Sequence, residues 1–362
     1  KRIVVTKEGQ IVGILEQLDL LSYFANHTYL VAVQIRKAKT IEELKRASKD
    51  FVNIIKKLHI KGTKVEYISQ LISELNVQIY RKLYEMTVPP EIADNACLIV
   101  MGSEGRKEQM LKTDQDNALI IDNGVNEEFY KKVMEEYIDT LIDFGFPRCE
   151  GNIMVSNPYW RKSLGAFGLE LERWLDSPQK DDYMNLAIFF DSICVAGNPE
   201  LLRKLKKRLF DLMHDRDVLM ANFAKAALLF ETPISMFSGL KAENNLIDVK
   251  KGGIFAIVQG IRSLSLQYRI EETETVERIR KLAKKNIFEA GFAEALIESF
   301  DTLLNLRLKE QLYRMEVGEK YNNMIRVDRL NQLESELLKD SFKIVDKFKK
   351  FLTHHFKLSM VQ

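Results

Sequence analysis

Residues 102–121 read GSEGRKEQMLKTDQDNALII. Asp114 and Asp116 stand two apart at the mouth of an apolar run, Ala118 to Ile121. Side chains alternate along a strand, so both carboxylates would face one side. Paired hard oxygens suit Mg²⁺, which keeps some of its water and takes further ligands from substrate phosphates. Eleven residues before Asp114, Gly102-Ser103 closes a second apolar run, Ala96 to Met101. A glycine there lets the backbone approach a phosphate, and successive N–H groups can form an anion nest. The Ser103 hydroxyl can donate to a phosphate oxygen. Arg106, Lys107 and Lys112 lie between the two halves and can neutralise triphosphate charge. Either half alone is weak, because Asp-x-Asp is more often a turn or a cap. The two in this order, each on a strand-like run, predict a site for a metal-bound nucleoside triphosphate.

This GS…TDQDNALI pattern resembles the nucleotidyltransferase superfamily that includes DNA polymerase beta. Within it, the likeness is to PII uridylyltransferases and glutamine-synthetase adenylyltransferases, and more closely to a bacterial group linked to CBS or cyclic-nucleotide-binding modules. CEGNIMVSNPYWRKSL (149–164) and IDVKKGGIFAIVQGIRSLSLQYRI (247–270) look like further blocks of that group, so the resemblance covers nearly the whole chain. It implies catalysis by a two-metal site, with two Mg²⁺ (or Mn²⁺ in their place) and a third carboxylate on a later strand. The matching residue is Asp191, which closes the run Leu186–Phe190. The family usually has Asp-x-Arg before a Val-x-Gly, and here Ile193 replaces the arginine. That loss points to weakened activity. The resemblance also brings Asn152, in the Gly151–Met154 block, near the nucleotide.

Composition sets outer bounds. A chain of 362 residues with 46% hydrophobic and 29% charged residues is an ordinary globular protein of two or three domains. Its 54 basic and 52 acidic side chains give a net charge of +2, which argues against a dedicated nucleic-acid binder. Cys97, Cys149 and Cys194 form no CxxC pair, fit a reducing compartment and carry no zinc signature. No run reaches the length of a membrane span, and no signal peptide is visible. The chain starts at Lys1 with a strand under way, so a piece of a longer protein is expected, with the cytoplasm as its compartment.

The elements around the motif follow from periodicity. Residues 1–28 resemble the end of a CBS motif, with strands Ile3–Thr6 and Ile11–Leu15 and a helix from about Leu18. In Glu16-Gln17-Leu18-Asp19 the acid of the ribose-binding pattern is present, but Glu16 stands where a hydroxyl is usual. Residues 29–90 carry helical spacing in Leu44, Ala47, Phe51 and Ile55, and again in Ile68, Ile72, Leu75 and Ile79, ending at Pro89-Pro90. They read as a helical hairpin linking sensor to core. Residues 91–198 read as the nucleotidyltransferase core, with a helix at about 126–144 and another beginning at Asn157-Pro158.

Residues 199–362 read as a C-terminal helical domain, all-helical from residue 215. Its first helix, 200–213, carries a leucine stripe opposite five basic residues, either a solvated face or a docking surface for an acidic partner. Lys250 and Arg262 flank Gly252-Gly253 at an apparent helix start and are candidates for triphosphate contact or for structural salt bridges. His214-Asp215 is an HD dipeptide without the further ligands a hydrolase site needs.

The expected fold is α+β and mostly helical, a small mixed-sheet core flanked by the hairpin and the C-terminal bundle. The expected activity is Mg²⁺-dependent uridylyl or adenylyl transfer from ATP or UTP to a hydroxyl of a protein acceptor, under an upstream nucleotide-sensing region. The alternative is a nucleotide-binding regulatory module without transfer. RNA end addition fits the charge balance poorly. Self-association stays open, and no membrane partner is expected.

Overall fold

A computed structural model describes residues 2–7, 10–16, 30–113, 115–179, 181–235, 239–320 and 322–360. Asp114 therefore lies outside the described residues, as do Glu8-Gly9 and the helix expected from Leu18 with its Asp19. The two N-terminal strands, β1 (Arg2–Lys7) and β2 (Gln10–Glu16), form an antiparallel pair.

The segment expected to be a linker hairpin is richer. It holds α1 (30–37), α2 (Ile41–Lys49), α3 (Phe51–Ile60), the long α4 (Val65–Thr87) and a single turn, α5 (Pro90–Ala93). On α4, Ile68, Ile72, Leu75, Ile79 and Leu83 are all buried, as their spacing demands. The face they make packs against the strand Ile193–Gly197 and the helix Glu128–Asp143 of the core, so α4 forms part of the core's wall.

The core sheet has the order β5-β4-β3-β6. Strand β3 (Ala96–Val100) lies between β4 (Asn117–Ile121) and β6 (Ile193–Gly197), antiparallel to both, and β5 (Arg161–Ser163) runs parallel to β4. Every residue of β3 and β4 is buried, as for strands covered on both faces. Helices α8 (Leu164–Asp176) and α10 (Pro199–Leu212) pack on each other and over the sheet, while α7 (Glu128–Asp143) packs with α4.

Two local expectations change. Asn157 caps only a short 3₁₀ turn, Pro158–Trp160, and the helix begins after β5 with Ser163 as its cap. The apolar run Leu186–Phe190, expected as a strand, belongs to helix α9 (Asp182–Phe190). Nine residues with no alternation of polar and apolar positions cannot be told from a buried strand by pattern.

The C-terminal half holds α11 (Asp217–Lys225), α12 (Phe255–Gln267), α13 (Thr275–Lys284), α14 (Ala290–Glu316) and α15 (Gln332–His355). It is not wholly helical, because β7 (Leu246–Asp248) and β8 (Met324–Arg326) form a small antiparallel sheet. Every residue of α12 from Ala256 to Leu266 is buried, which makes it the central helix of the bundle. The whole is α+β and mostly helical. Among the described residues no helix is long and apolar enough to cross a membrane.

Candidate nucleotide site

The site forms where β3 and β4 end side by side. The Met101 N–H donates to the Asp116 carbonyl oxygen at 2.8 Å, extending the strand pairing by one step. The chain then turns at Gly102, whose φ of +56° is costly for any other residue. A Cβ at Gly102 would lie 2.6 Å from Asp116 Oδ2, so glycine lets that carboxylate sit close against the turn. A single helical turn, α6 (Gly102–Gly105), follows. Ser103 is half-buried, and its hydroxyl donates to Gln109 Oε1 at 2.8 Å.

Residues 115–117 alternate as a strand should. Asp116 is half-buried and faces Gly102, while Gln115 and Asn117 turn inward. Gln115 donates to the Phe146 carbonyl at 3.2 Å, and Asn117 Oδ1 accepts the Val155 N–H at 2.8 Å. These bonds, with Asn117 N–H to the Ile153 carbonyl at 3.0 Å, fasten segment 146–155 beside the acid. That segment brings in Cys149, whose thiol donates to Asp116 Oδ1 at 3.2 Å. Asn152, three residues on, is exposed at the same turn with φ +52°, and its N–H donates to the Cys149 carbonyl at 3.0 Å. Asn152 is thus near Asp116.

The basic candidates have other partners. Arg106 donates to Glu108 at 2.7 Å and to Asp191 at 2.6 Å. Lys112 donates to the Phe144 carbonyl at 2.7 Å and to Ser48, and lies over the Phe146 ring. Burial pushes its ammonium down to about 8. Lys250 is exposed in a π-helical turn, Lys250–Ile254. The two glycines after it serve packing, since a Cβ on Gly252 would strike Pro233 and one on Gly253 would strike Leu303. Arg262 is buried and donates to Asp191 at 2.5 and 3.1 Å.

Asp191 is the largest departure. It caps the C-terminus of α9 instead of standing on a strand, and it is 0% exposed. Its Oδ2 accepts from Arg106 and Arg262, and its Oδ1 accepts from Arg278 at 2.6 Å. Burial alone would push this carboxyl up, but the guanidiniums of Arg262, Arg278 and Arg106 together hold it well below the usual carboxylate range. A metal ligand needs lone pairs open to the cleft, and here three cations occupy the oxygens. The expected third metal carboxylate is instead the hub of an ion-pair cluster joining the two halves of the chain. Among the described residues no three His, Cys, Asp or Glu side chains are grouped to hold a metal ion.

Residues that spacing alone did not single out complete the site's surroundings. Glu104 is 2% exposed, and Asn76 Nδ2 lies 3.2 and 3.3 Å from its two oxygens. Burial, with Asp116 adding, pushes its carboxyl up to about 8, against the hydrogen bonds from Asn76 and Tyr80. Gln115, Asn117 and Cys149 carried a faint signal, the strand alternation around the acid pair. Glu104 carried none, because its partners come from α4.

Two family profiles match the chain. The profile described as Putative nucleotidyltransferase DUF294 matches residues 49–181. The profile described as Putative nucleotidyltransferase substrate binding domain matches residues 217–356. The chain thus carries a region similar to the DUF294 putative nucleotidyltransferases, followed by one similar to their substrate binding domain. No curated protein matches it. The DUF294 match begins within α2, so it includes α3 and α4 with the sheet they cover. The substrate-binding match contains both Arg262 and Arg278. Asp191 lies between the two matches, and its ion pairs join Arg106 of the first to Arg262 and Arg278 of the second.

Proposed function

We propose that this chain transfers a nucleotidyl group from a nucleoside triphosphate, ATP or UTP, to a hydroxyl of a protein acceptor, at a Mg²⁺ site built on Asp114 and Asp116. The observation that carries this reading is the close approach of Asp116 Oδ2 to the Gly102 backbone, which only a glycine at 102 allows. Hard carboxylate oxygens at that turn fit Mg²⁺, which accepts few protein ligands and takes the rest from phosphate and water. When bound, Mg²⁺ would withdraw charge from the α-phosphate and lower the pKa of the attacking hydroxyl.

The chain's own residues do the positioning. The Gly102 backbone admits the triphosphate, and the Ser103 hydroxyl exchanges its bond to Gln109 for one to a phosphate oxygen. Cys149 and the Met101 N–H hold Asp116 by its side chain and main chain. Asn152 reaches the nucleotide from the neighbouring turn. The acceptor oxygen bonds to the α-phosphorus, the bond to the bridging oxygen breaks, and pyrophosphate leaves. The hydroxyl proton passes to solvent. The acceptor docks on the substrate-binding region, and the hairpin β1–β2 belongs to an upstream CBS-type sensor. The cytoplasm supplies the nucleotide.

The test is pyrophosphate release and transfer of α-labelled ATP or UTP to lysate proteins, with and without Mg²⁺. Asp116→Asn should lower the rate by about a hundredfold or more while the protein melts as the wild type does. Label transfer that persists in Asp116→Asn sinks this assignment.

A second reading, nucleotide binding without transfer, draws on the engagement of Asp191 by three guanidiniums. A site with two acids can hold a nucleotide yet stabilise the leaving oxygens poorly. It predicts calorimetric nucleotide binding with no pyrophosphate release for any acceptor.

A further inference from the structure

A cavity of about 700 Å³ opens between α10, the start of β6 and the segment 269–274. Its lining includes none of Gly102, Ser103 and Asp116, so it is separate from the site above. The size suits a small organic ligand. One wall is basic, with Arg203, Lys206 and Lys207 of α10, and Leu202 and Phe210 give it an apolar surface. Glu271 stands among the residues of the facing segment.

The charges around the cavity are unevenly matched. Lys107 pairs with Glu274 at 2.6 Å, Arg269 with Asp211 at 2.6 Å, Arg203 with Glu200, and Glu272 with Lys281. Lys206 makes no hydrogen bond or ion pair with any described residue, although it is half-buried. Burial, with Arg278 adding, pushes its ammonium down to about 8, against the pull of Asp191 and Glu271. Two donors beside it are also unmatched. Ser192 lines the cavity, is 0% exposed, and its hydroxyl has no partner. Arg278 is 0% exposed, and its Nη2 has none. A buried donor left without a partner costs about 1–3 kcal/mol, so Ser192 in the cavity wall, with the unpaired Lys206 ammonium, asks for an acceptor from outside the chain.

We propose that this cavity binds a phosphate-bearing organic molecule, its phosphate held by Lys206, Lys207 and Ser192 and its hydroxyl-bearing body lying against Leu202, Phe210 and Glu271. A phosphate suits the place because it accepts several charge-assisted hydrogen bonds at once. The cavity takes one wall from α10 and one from the substrate-binding region. Arg278, behind it, also holds Asp191. Occupancy therefore reinforces the junction between the two halves. The proposal is independent of transfer chemistry at Asp116.

The experiment is titration calorimetry on the full chain without Mg²⁺, using inorganic phosphate, AMP, UMP and ribose 5-phosphate as probes. At least one organic phosphate should bind more tightly than inorganic phosphate. AMP and UMP against ribose 5-phosphate separate a nucleotide from another phosphorylated metabolite. Lys206→Met, which keeps the apolar stem, should weaken binding by about tenfold or more. Lys207→Met should weaken it too, which keeps the proposal testable if the first variant folds poorly. Lys204→Met, outside the cavity on the same helix, and Asp116→Asn should bind as the wild type does. Binding that survives both Lys206→Met and Lys207→Met, binding lost in Asp116→Asn, or no binding of any probe at millimolar concentration overturns the proposal.

Discussion

Glu104 follows the Ser103 expected to meet phosphate, yet its side chain is sealed against Asn76 on α4. Its ordinary pKa of 4.5 is pushed up to about 8, with burial the largest cause. Between those two values the folded chain keeps a proton that the unfolded chain has released. The folded state then binds more protons, and its stability falls as pH rises through that window. The slope reaches at most about 1.4 kcal/mol per pH unit for one such group. Glu104→Gln removes the titration. It should melt above the wild type at pH values over 8 and show a flatter dependence of melting temperature on pH. Equal slopes for the two proteins would mean that Glu104 ionises normally in the fold. At this scale Gly102, Ser103 and Asp116 were legible from their types and order, because turn geometry and strand alternation are local. The basic residues were not. Arg106, Lys112 and Arg262 carry the charge that suits a triphosphate, but sequence gives no rank to competing partners such as Asp191 or the Phe144 carbonyl.

The elements meet at glycines whose reasons differ. Gly260 lies within α12, where an added Cβ would come within 2.6 Å of Phe348 Cε1 and closer still to Leu352 Cδ1 of α15. Gly291 lies in the first turn of α14, with nothing within 4 Å of an added Cβ. Alanine is the better helix former by about 1 kcal/mol at an open position. Gly291→Ala should therefore raise stability by about 0.5–1 kcal/mol, whereas Gly260→Ala should lower it by about 1–3 kcal/mol through overpacking. Chemical denaturation of the two variants checks both signs. The long helix α4 was readable from its apolar spacing. The run Leu186–Phe190 was not, because a short apolar segment fits a buried strand and a buried helix equally well. That ambiguity shifted Asp191 from a strand to the cap of α9.

The two halves of the molecule are held together by charge as well as by packing. Asp191 takes Arg106 from the nucleotidyltransferase region and Arg262 and Arg278 from the substrate-binding region. The Lys107–Glu274 pair and the bond from Thr275 N–H to Glu108 lie on the same boundary. Removing one partner from a buried ion cluster leaves uncompensated charge and costs about 3–5 kcal/mol. Asp191→Asn should lower stability by that order and separate the unfolding of the two halves in calorimetry. A variant that melts as the wild type does, but no longer responds to Mg²⁺, would return Asp191 to the metal. By itself the sequence placed Gly102-Ser103 and Asp116 together at the ends of two neighbouring strands. Gly102-Ser103, Asp116 and their strands depend on backbone freedom and side-chain alternation over a few residues. Only the tertiary structure decided the role of Asp191. Its partners Arg262 and Arg278 lie 71 and 87 residues away, and no local preference encodes which cation a buried carboxylate meets when two domains close on it.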